Sequence, residues 1–191
     1  MYQSFSIKLA KEDCLDLPGL VYEDVSFTKT KEYKTIEKDR VLGEEIFDSI
    51  PKLQHGLRFH ANQKDKLKYS EMLAEGTKEN MIFFYYYQEE KEELKKVMKK
   101  LGKTIFEVSG QETNLPDKRK WEGLDNSVTL VQYMAGAAGI ELQYSNLVVF
   151  YTPTYSFQDY EQALGELTEM DRPKGNRIPL YYKRNCRNSY L

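Results

Sequence analysis

Three short stretches of this 191-residue chain hold residue types that could do chemistry. In QYMAGAAGIELQ (132–143), a strand-like run enters Gly136 and Gly139 and then a short helix-like segment. Glycines at such a junction let a backbone or an anion approach closely, and the first turn of a helix presents free amides to negative charge. In YTPTYSFQDYEQALGELTEM (151–170), Gln162, Glu166 and Glu169 fall on one helix face by i, i+4 and i+3 spacing. The third, IFFYYYQ (82–88), leaves an apolar strand at Tyr87-Gln88, where a polar side chain stands at a strand exit.

Other candidates fail on spacing. Gly102-Lys103-Thr104 resembles the end of a phosphate-binding loop, but such a loop needs a glycine five residues before the Gly-Lys pair, and Val97 stands there inside a helical pattern. The order, helix then strand, is also reversed, so Gly102 reads as a helix stop. His55 and His60 are the only histidines and have no cysteine or carboxylate at ligand spacing, so they read as connector or surface residues and make a poor metal site. The sequence has no GxSxG, HExxH or CxxC. Cys14 and Cys186 lie far apart, which fits unpaired thiols in a reducing cytoplasm.

The elements that must position these residues follow from periodicity. LVYEDVSFT alternates and reads as a strand, and residues 31–50 read as one helix ended by Pro51, with a connector over 52–62. From Asn62 a helix is expected, capped by that residue and closed at Gly76. MIFFYYY shows no polar alternation, as in a parallel strand covered on both faces. QEEKEELKKVMKKLG is a helix whose acidic start and basic end match its dipole, and its charges suggest a solvated face. TIFEVSG, SVTLVQYM, NLVVFYTP and RIPLYYKR complete five strands, with short helices at 117–124 and after Gly139 and a longer one over SFQDYEQALGELTEM. Strands alternating with helices predict a doubly wound α/β domain.

Bulk properties narrow the class. Net charge is −2, so no global basic excess points to nucleic acid, although a local patch still could. Fifteen Tyr and nine Phe argue against a disordered chain. The longest apolar run is about a third of the ~20 residues that span a bilayer, and the N-terminus lacks the apolar core of a signal peptide, so no membrane partner is expected and a cytoplasmic location is.

In order along the chain, these stretches resemble the C-terminal RecA-like lobe of Swi/Snf-type superfamily-two helicases, particularly the compact versions encoded by phages and mobile elements. FSIKLAKEDCLDLPGLVYEDV resembles the crossing from the first lobe. The run NQKDKLKYSEMLAEGTKENMIFFYYYQEEKEELKKVM is similar to the first helix and motif IV. SVTLVQYMAGAAGIELQYSNLVVFYTPTYSFQDYEQALG resembles motif V and the approach to motif VI. The resemblance implies a connector over 1–61 and a RecA-like domain over 62–191, with a parallel sheet of about five strands and helices on both faces. It implies ATP and Mg2+ between two lobes, the N-terminal lobe as partner, and DNA gripped by both. Nucleotide contacts are then expected from Gly136, Gly139, Gln162 and Arg172, and DNA contacts from Tyr87, Gln88 and Gln143. The two arginine positions of motif VI hold Glu166 and Glu169, and the usual Asn of motif V is Glu141. Two arginines there would move the net charge from −2 to +2, since each exchange shifts it by two. Carboxylates near a triphosphate oppose it: like charges ~4 Å apart at an effective dielectric of ~20 repel by about 4 kcal/mol. The resemblance thus implies one lobe of an ATP-dependent DNA helicase, inactive alone. The alternatives are a non-catalytic RecA-like module for nucleic acid or protein, and, less supported without a GxGxxG, a Rossmann-like enzyme.

Overall fold

Met81–Tyr85 is fully buried along its length, and so are Leu147–Phe150 and all but the last residue of Ser127–Gln132. Strands buried on both faces lie in the middle of a covered sheet. The computed structural model, which describes residues 20–133, 140–145, 147–154, 156 and 178–182, places them there. In chain order the elements are β1 (Leu20–Asp24), α1 (Lys31–Asp39), β2 (Val41–Leu42), β3 (Glu45–Ile46), α2 (Ile50–Phe59), α3 (Gln63–Glu75), β4 (Met81–Tyr85) and α4 (Gln88–Lys100). Then come β5 (Thr104–Val108), β6 (Thr113–Asn114), a 3-10 helix (Lys118–Gly123), β7 (Ser127–Gln132), β8 (Leu147–Phe150) and β9 (Ile178–Tyr182).

Seven strands form one sheet in the order β1-β9-β8-β4-β7-β5-β6, parallel throughout except for the short β6. All five expected strands are present, and the architecture is the expected α/β RecA-like one. β1 pairs with β9 from Leu20↔Ile178 to Asp24↔Tyr182 and so extends the same sheet. Alternate residues of β4 feed two cores. Met81, Phe83 and Tyr85 pack under α3 and α4 with Ala74, Leu94 and Met98. Ile82 and Phe84 face the other way, toward Trp121, Leu124, Leu142 and Tyr144.

The segment before Asn62 differs from expectation. The helix stops at Asp39, because Arg40 takes a left-handed conformation (φ 55°) and donates its amide to Ile36. Gly43 at φ 63° then turns a two-residue hairpin, β2 with β3, that holds Leu42 and Ile46. Pro51 does not end a helix but sits in the first turn of α2, capped by Ser49. Its missing N–H falls where a helix start has no partner for one, so proline is tolerated there. The expected connector over 52–62 is therefore mostly helix. α1 and α2 are tied by Thr30 Oγ1, which accepts from Tyr33 N at 3.1 Å and donates to the His60 carbonyl at 3.1 Å.

Asn62 caps α3 as expected, accepting from Asp65 N at 3.2 Å, and Gly102 ends α4 at φ 70°, with Lys103 N reaching the Met98 carbonyl. Lys103 is buried and donates to the Thr77 carbonyl at 2.6 Å, a structural tie and not a phosphate lysine. α4 is less solvated than its composition suggests: Glu90, Lys91, Leu94 and Met98 are buried. Glu107, 6% exposed on β5, takes up Lys95 and, at 3.6 Å, Lys91. The expected short helix after Gly139 is absent over 140–145, which form a turn, and residues 134–139 lie outside the described residues.

Asn80, just before β4, locks the lower edge of the sheet. Its Nδ2 donates to the carbonyls of Leu124 (2.7 Å) and Tyr144 (3.1 Å), and its Oδ1 accepts from Ser127 Oγ at 2.7 Å. Ser145 Oγ in turn donates to the Asn80 carbonyl at 2.6 Å. One amide thus sets the starts of β4, β7 and β8 level.

Candidate functional site

β4 and β8 are neighbours, but the chain leaves them in opposite directions: β4 leads by α4 to β5 on one side, and β8 leads to β9 on the other. A parallel sheet opens a crevice at the carboxyl ends of such a pair, and α/β proteins commonly bind ligands there.

In this chain the crevice is filled by a buried ionic network. Lys66 of α3 and Glu90 of α4 have side chains 0% and 3% exposed, with Nζ 3.1 Å from Oε1. Lys66 also donates to Thr152 Oγ1 at 2.8 Å, two residues past β8, and its Nζ stands 4.3 Å from the Tyr151 ring centre. Glu90 Oε1 further accepts from Gln63 Nε2 at 3.0 Å and from the Thr152 hydroxyl. Glu90 Oε2 accepts from the amides of Tyr86 and Tyr87 at 3.2 Å each. Glu90 stands three residues into α4, where a carboxylate reaches back to the start of its own helix.

Electrostatics follow from this packing. Burial raises the Glu90 carboxyl, but the Lys66 charge, the Thr152 hydroxyl and the two amides outweigh it, and the group is held below the usual carboxylate range. Burial lowers Lys66, with Glu90 opposing. Tyr151 is pushed up, chiefly by burial and then by Glu90. The network is therefore a charge-neutral clamp joining α3, α4 and the exits of β4 and β8.

The residues expected to meet DNA separate into two places. Tyr87 and Gln88 stand at the carboxyl end of β4. Tyr87 is 7% exposed and directs its hydroxyl to His55, 3.2 Å from the carbonyl and 3.4 Å from Nδ1. Gln88 is exposed and its Nε2 donates to Glu92 at 3.1 Å. Gln143 is buried in the turn before β8, at the opposite edge of the sheet, beside the Tyr144 carbonyl bonded by Asn80. The structure does not bring the three together. Glu141, in the motif V Asn position, pairs with Lys118. Gly136, Gly139, Gln162, Gly165, Glu166, Glu169 and Arg172 lie outside the described residues.

His55 lies in α2 and His60 at its C-terminal cap, in a helix and not in a connector. His55 stacks on Phe59 (centroids 6.2 Å, 12°) and meets Tyr87 edge-on. Among the described residues no group of three His, Cys, Asp or Glu could hold a metal ion, and no helix is long and apolar enough to cross a membrane. At the crevice the residues do not fit a magnesium nucleotide: a carboxylate occupies the start of α4 and already uses the amides of Tyr86 and Tyr87.

Lys66, Glu90 and Thr152 were not singled out from the sequence. The available signal was Glu90 three residues after Tyr87, the spacing of a carboxylate that caps its own helix. Nothing in the sequence ties it to Lys66 or Thr152, which are 24 and 62 positions away.

No protein-family model matches the chain, and no curated protein matches it. Solved structures share its fold, two of them as follows. One is the C-terminal part of the Fun30 ATPase domain: 13% identity over 88% of this chain and 86% of that one, TM-score 0.61. The other is T4 UvsW: 14% identity over 87% of this chain, TM-score 0.57, with this chain covering 32% of that protein. At this identity the likeness carries the fold alone: the chain has an α/β RecA-like fold.

Proposed function

We propose that the chain is the second lobe of an ATP-dependent DNA helicase or translocase and is inactive by itself. The observation that carries this reading is the likeness to the C-terminal part of an ATPase domain across 88% of the chain. That likeness agrees with the order of the motif IV, V and VI stretches along the sequence. In this reading an N-terminal RecA-like lobe holds ATP and Mg2+. This chain adds the backbone around Gly136 and Gly139 and the side chain of Gln162, and contacts DNA at the carboxyl end of β4 through Tyr87 and Gln88; Gln143, buried at the opposite end of the sheet, stands apart from that surface. Arg172 is the cation left near the motif VI positions, where Glu166 and Glu169 repel a triphosphate instead of neutralising it.

The test is ATP hydrolysis with and without DNA. The chain alone is expected to hydrolyse none. Joined to a first lobe, with Glu166→Arg and Glu169→Arg, it is expected to show DNA-stimulated hydrolysis, because charge-stabilising arginines are worth ~10³-fold or more in phosphoryl transfer. A restored two-lobe protein that stays inert and indifferent to DNA overturns the reading.

The paired carboxylates favour one other reading, a non-catalytic RecA-like module that binds nucleic acid or protein. Tight DNA binding by this lobe alone, unchanged by nucleotide, would support it.

A further inference from the structure

The carboxyl end of β4 is covered by α2. Tyr87, expected to meet DNA, is 7% exposed, and its ring is enclosed by three others. His55 and Phe59 each have centroids 5.2 Å away, and Tyr86 stands at 5.1 Å. The Tyr87 hydroxyl is spent on His55, donating to its carbonyl at 3.2 Å with Nδ1 at 3.4 Å. A side chain so enclosed has little surface left for a strand of DNA. The outer surface here belongs to α2. His55 is exposed. Arg58, one turn further along the helix, lays its guanidinium over the half-buried Tyr86 ring, with Cζ 4.4 Å from the ring centre.

Charge decides which side a phosphate takes. On the α4 side Glu89 and Glu92 are exposed, and Gln88 holds its amide toward Glu92 at 3.1 Å. Carboxylates there repel a phosphate. On the α2 side stands Arg58. Lys66, lowered chiefly by burial, is lowered further by the Arg58 charge, which therefore reaches the exits of β4 and β8. A guanidinium is planar, always charged and carries five donors, so its face can rest on Tyr86 while its edge meets phosphate oxygens. We propose that α2 supplies the nucleic-acid contact at this end of the sheet: Arg58 meets a backbone phosphate, the exposed His55 ring packs on the adjacent base, and Tyr87 is a positioning residue that holds His55 in place. The contact rests on the DNA reading given above. It moves the work from Tyr87 to two residues of a segment whose sequence reads as a connector.

The test is fluorescence anisotropy of a labelled oligothymidine strand, titrated with the full chain over a range of salt. Weak, salt-dependent binding is expected. Arg58→Gln should weaken it about tenfold and lower the slope of log affinity against log salt by about 0.7, the worth of one phosphate contact on a single strand. Arg58→Lys keeps the charge and should restore the slope while recovering only part of the affinity. His55→Ala should weaken binding about fivefold or more with the slope unchanged, as loss of base stacking does. Tyr87→Phe keeps the ring and loses the tie to His55. It should weaken binding less than His55→Ala and add nothing in the double variant, because it acts through His55. Unchanged circular dichroism in each variant is the control for folding. Additive effects of Tyr87→Phe and His55→Ala, or wild-type affinity and slope in Arg58→Gln, overturn the inference and leave the DNA reading standing. A wild-type chain that binds no DNA even at low salt overturns both.

Discussion

The Lys66–Glu90 clamp yields a prediction with a worked magnitude. In Glu90→Gln the side-chain shape is kept and the charge is lost. Glu90 now serves five donors: Lys66, Gln63 and Thr152 at Oε1, and the Tyr86 and Tyr87 amides at Oε2. Glutamine offers one oxygen, so whichever way its amide turns, an NH2 faces donors. Lys66, buried completely, would keep its charge without its carboxylate. Removing one partner of a buried pair costs about 3–5 kcal/mol, and that is the loss expected at pH 7 from urea unfolding followed by circular dichroism. Burial already lowers Lys66, and the variant removes the Glu90 attraction that opposes it, so its folded-state pKa falls further below the unfolded value of about 10.4. In that window the unfolded state binds the extra proton, so stability rises with pH. Once pH passes the folded-state value, the deficit relative to wild type should shrink by up to about 1.4 kcal/mol per unit as pH rises toward the unfolded value. At the acid end the sign reverses. The depressed Glu90 pKa stabilises wild type above the usual value of 4.5, and this contribution is lost as pH falls through the lower folded-state value; the variant has none to lose. A deficit below about 1 kcal/mol at pH 7, or one that grows as pH rises toward the unfolded lysine value, refutes the reasoning. The double variant Lys66→Met with Glu90→Leu removes both charges and should abolish the pH-dependent part of the deficit, while the Tyr86 and Tyr87 amides, left without their acceptor, keep part of the loss.

Two further predictions concern packing. Gly56 sits in α2 with the Phe47 ring so close that an added Cβ would lie 2.3 Å from Cε1, and Phe47 is 1% exposed. Gly56→Ala should therefore lower the melting temperature, since overpacking costs about 1–3 kcal/mol against a helix-propensity gain of at most about 1; a rise in the melting temperature would refute the contact. Asn80→Ala strips partners from Ser127 and from the carbonyls of Leu124 and Tyr144, and should cost about 3 kcal/mol or more in urea unfolding, with a loss under about 1 kcal/mol showing that the sheet starts are set by something else.

The legible part of the fold is the part governed by short-range pattern. The central strands stand out because β4 and β8 are apolar on consecutive residues, as in a sheet covered on both faces. Asn62, Gly76 and Gly102 marked helix ends because capping needs those residue types locally. The region before Asn62 departs from the sequence pattern where one residue admits two roles. Pro51 can close a helix or open one, and the choice depends on Ser49 capping the next turn. Arg40 gave no sign of its left-handed turn, because arginine has no preference for one. α4 hid its buried charges for another reason: Glu90 and Lys91 look like solvated residues until Lys66 and Glu107 arrive from other elements. A buried ion pair is a long-range fact, and helical periodicity does not encode its partner.

The clamp also bears on where any nucleotide chemistry must lie. The crevice between β4 and β8 is where a parallel sheet offers diverging chain exits, and a phosphate would meet free amides there if the start of α4 were open. Glu90 has closed it, placing a carboxylate on the amides of Tyr86 and Tyr87 and drawing Lys66 and Thr152 in around itself. The same closure holds the exit of β8 at Thr152, ten residues before Gln162 in sequence. A clamp there fixes the starting point of the segment that leads to the motif VI positions, without touching nucleotide. On the function proposed above, the nucleotide would be met by that segment and by the glycines after β7 in sequence, with the β4–β8 exit serving as the mount. On this argument Glu90→Gln in a restored two-lobe protein should reduce hydrolysis through loss of positioning, and the stability deficit should accompany it.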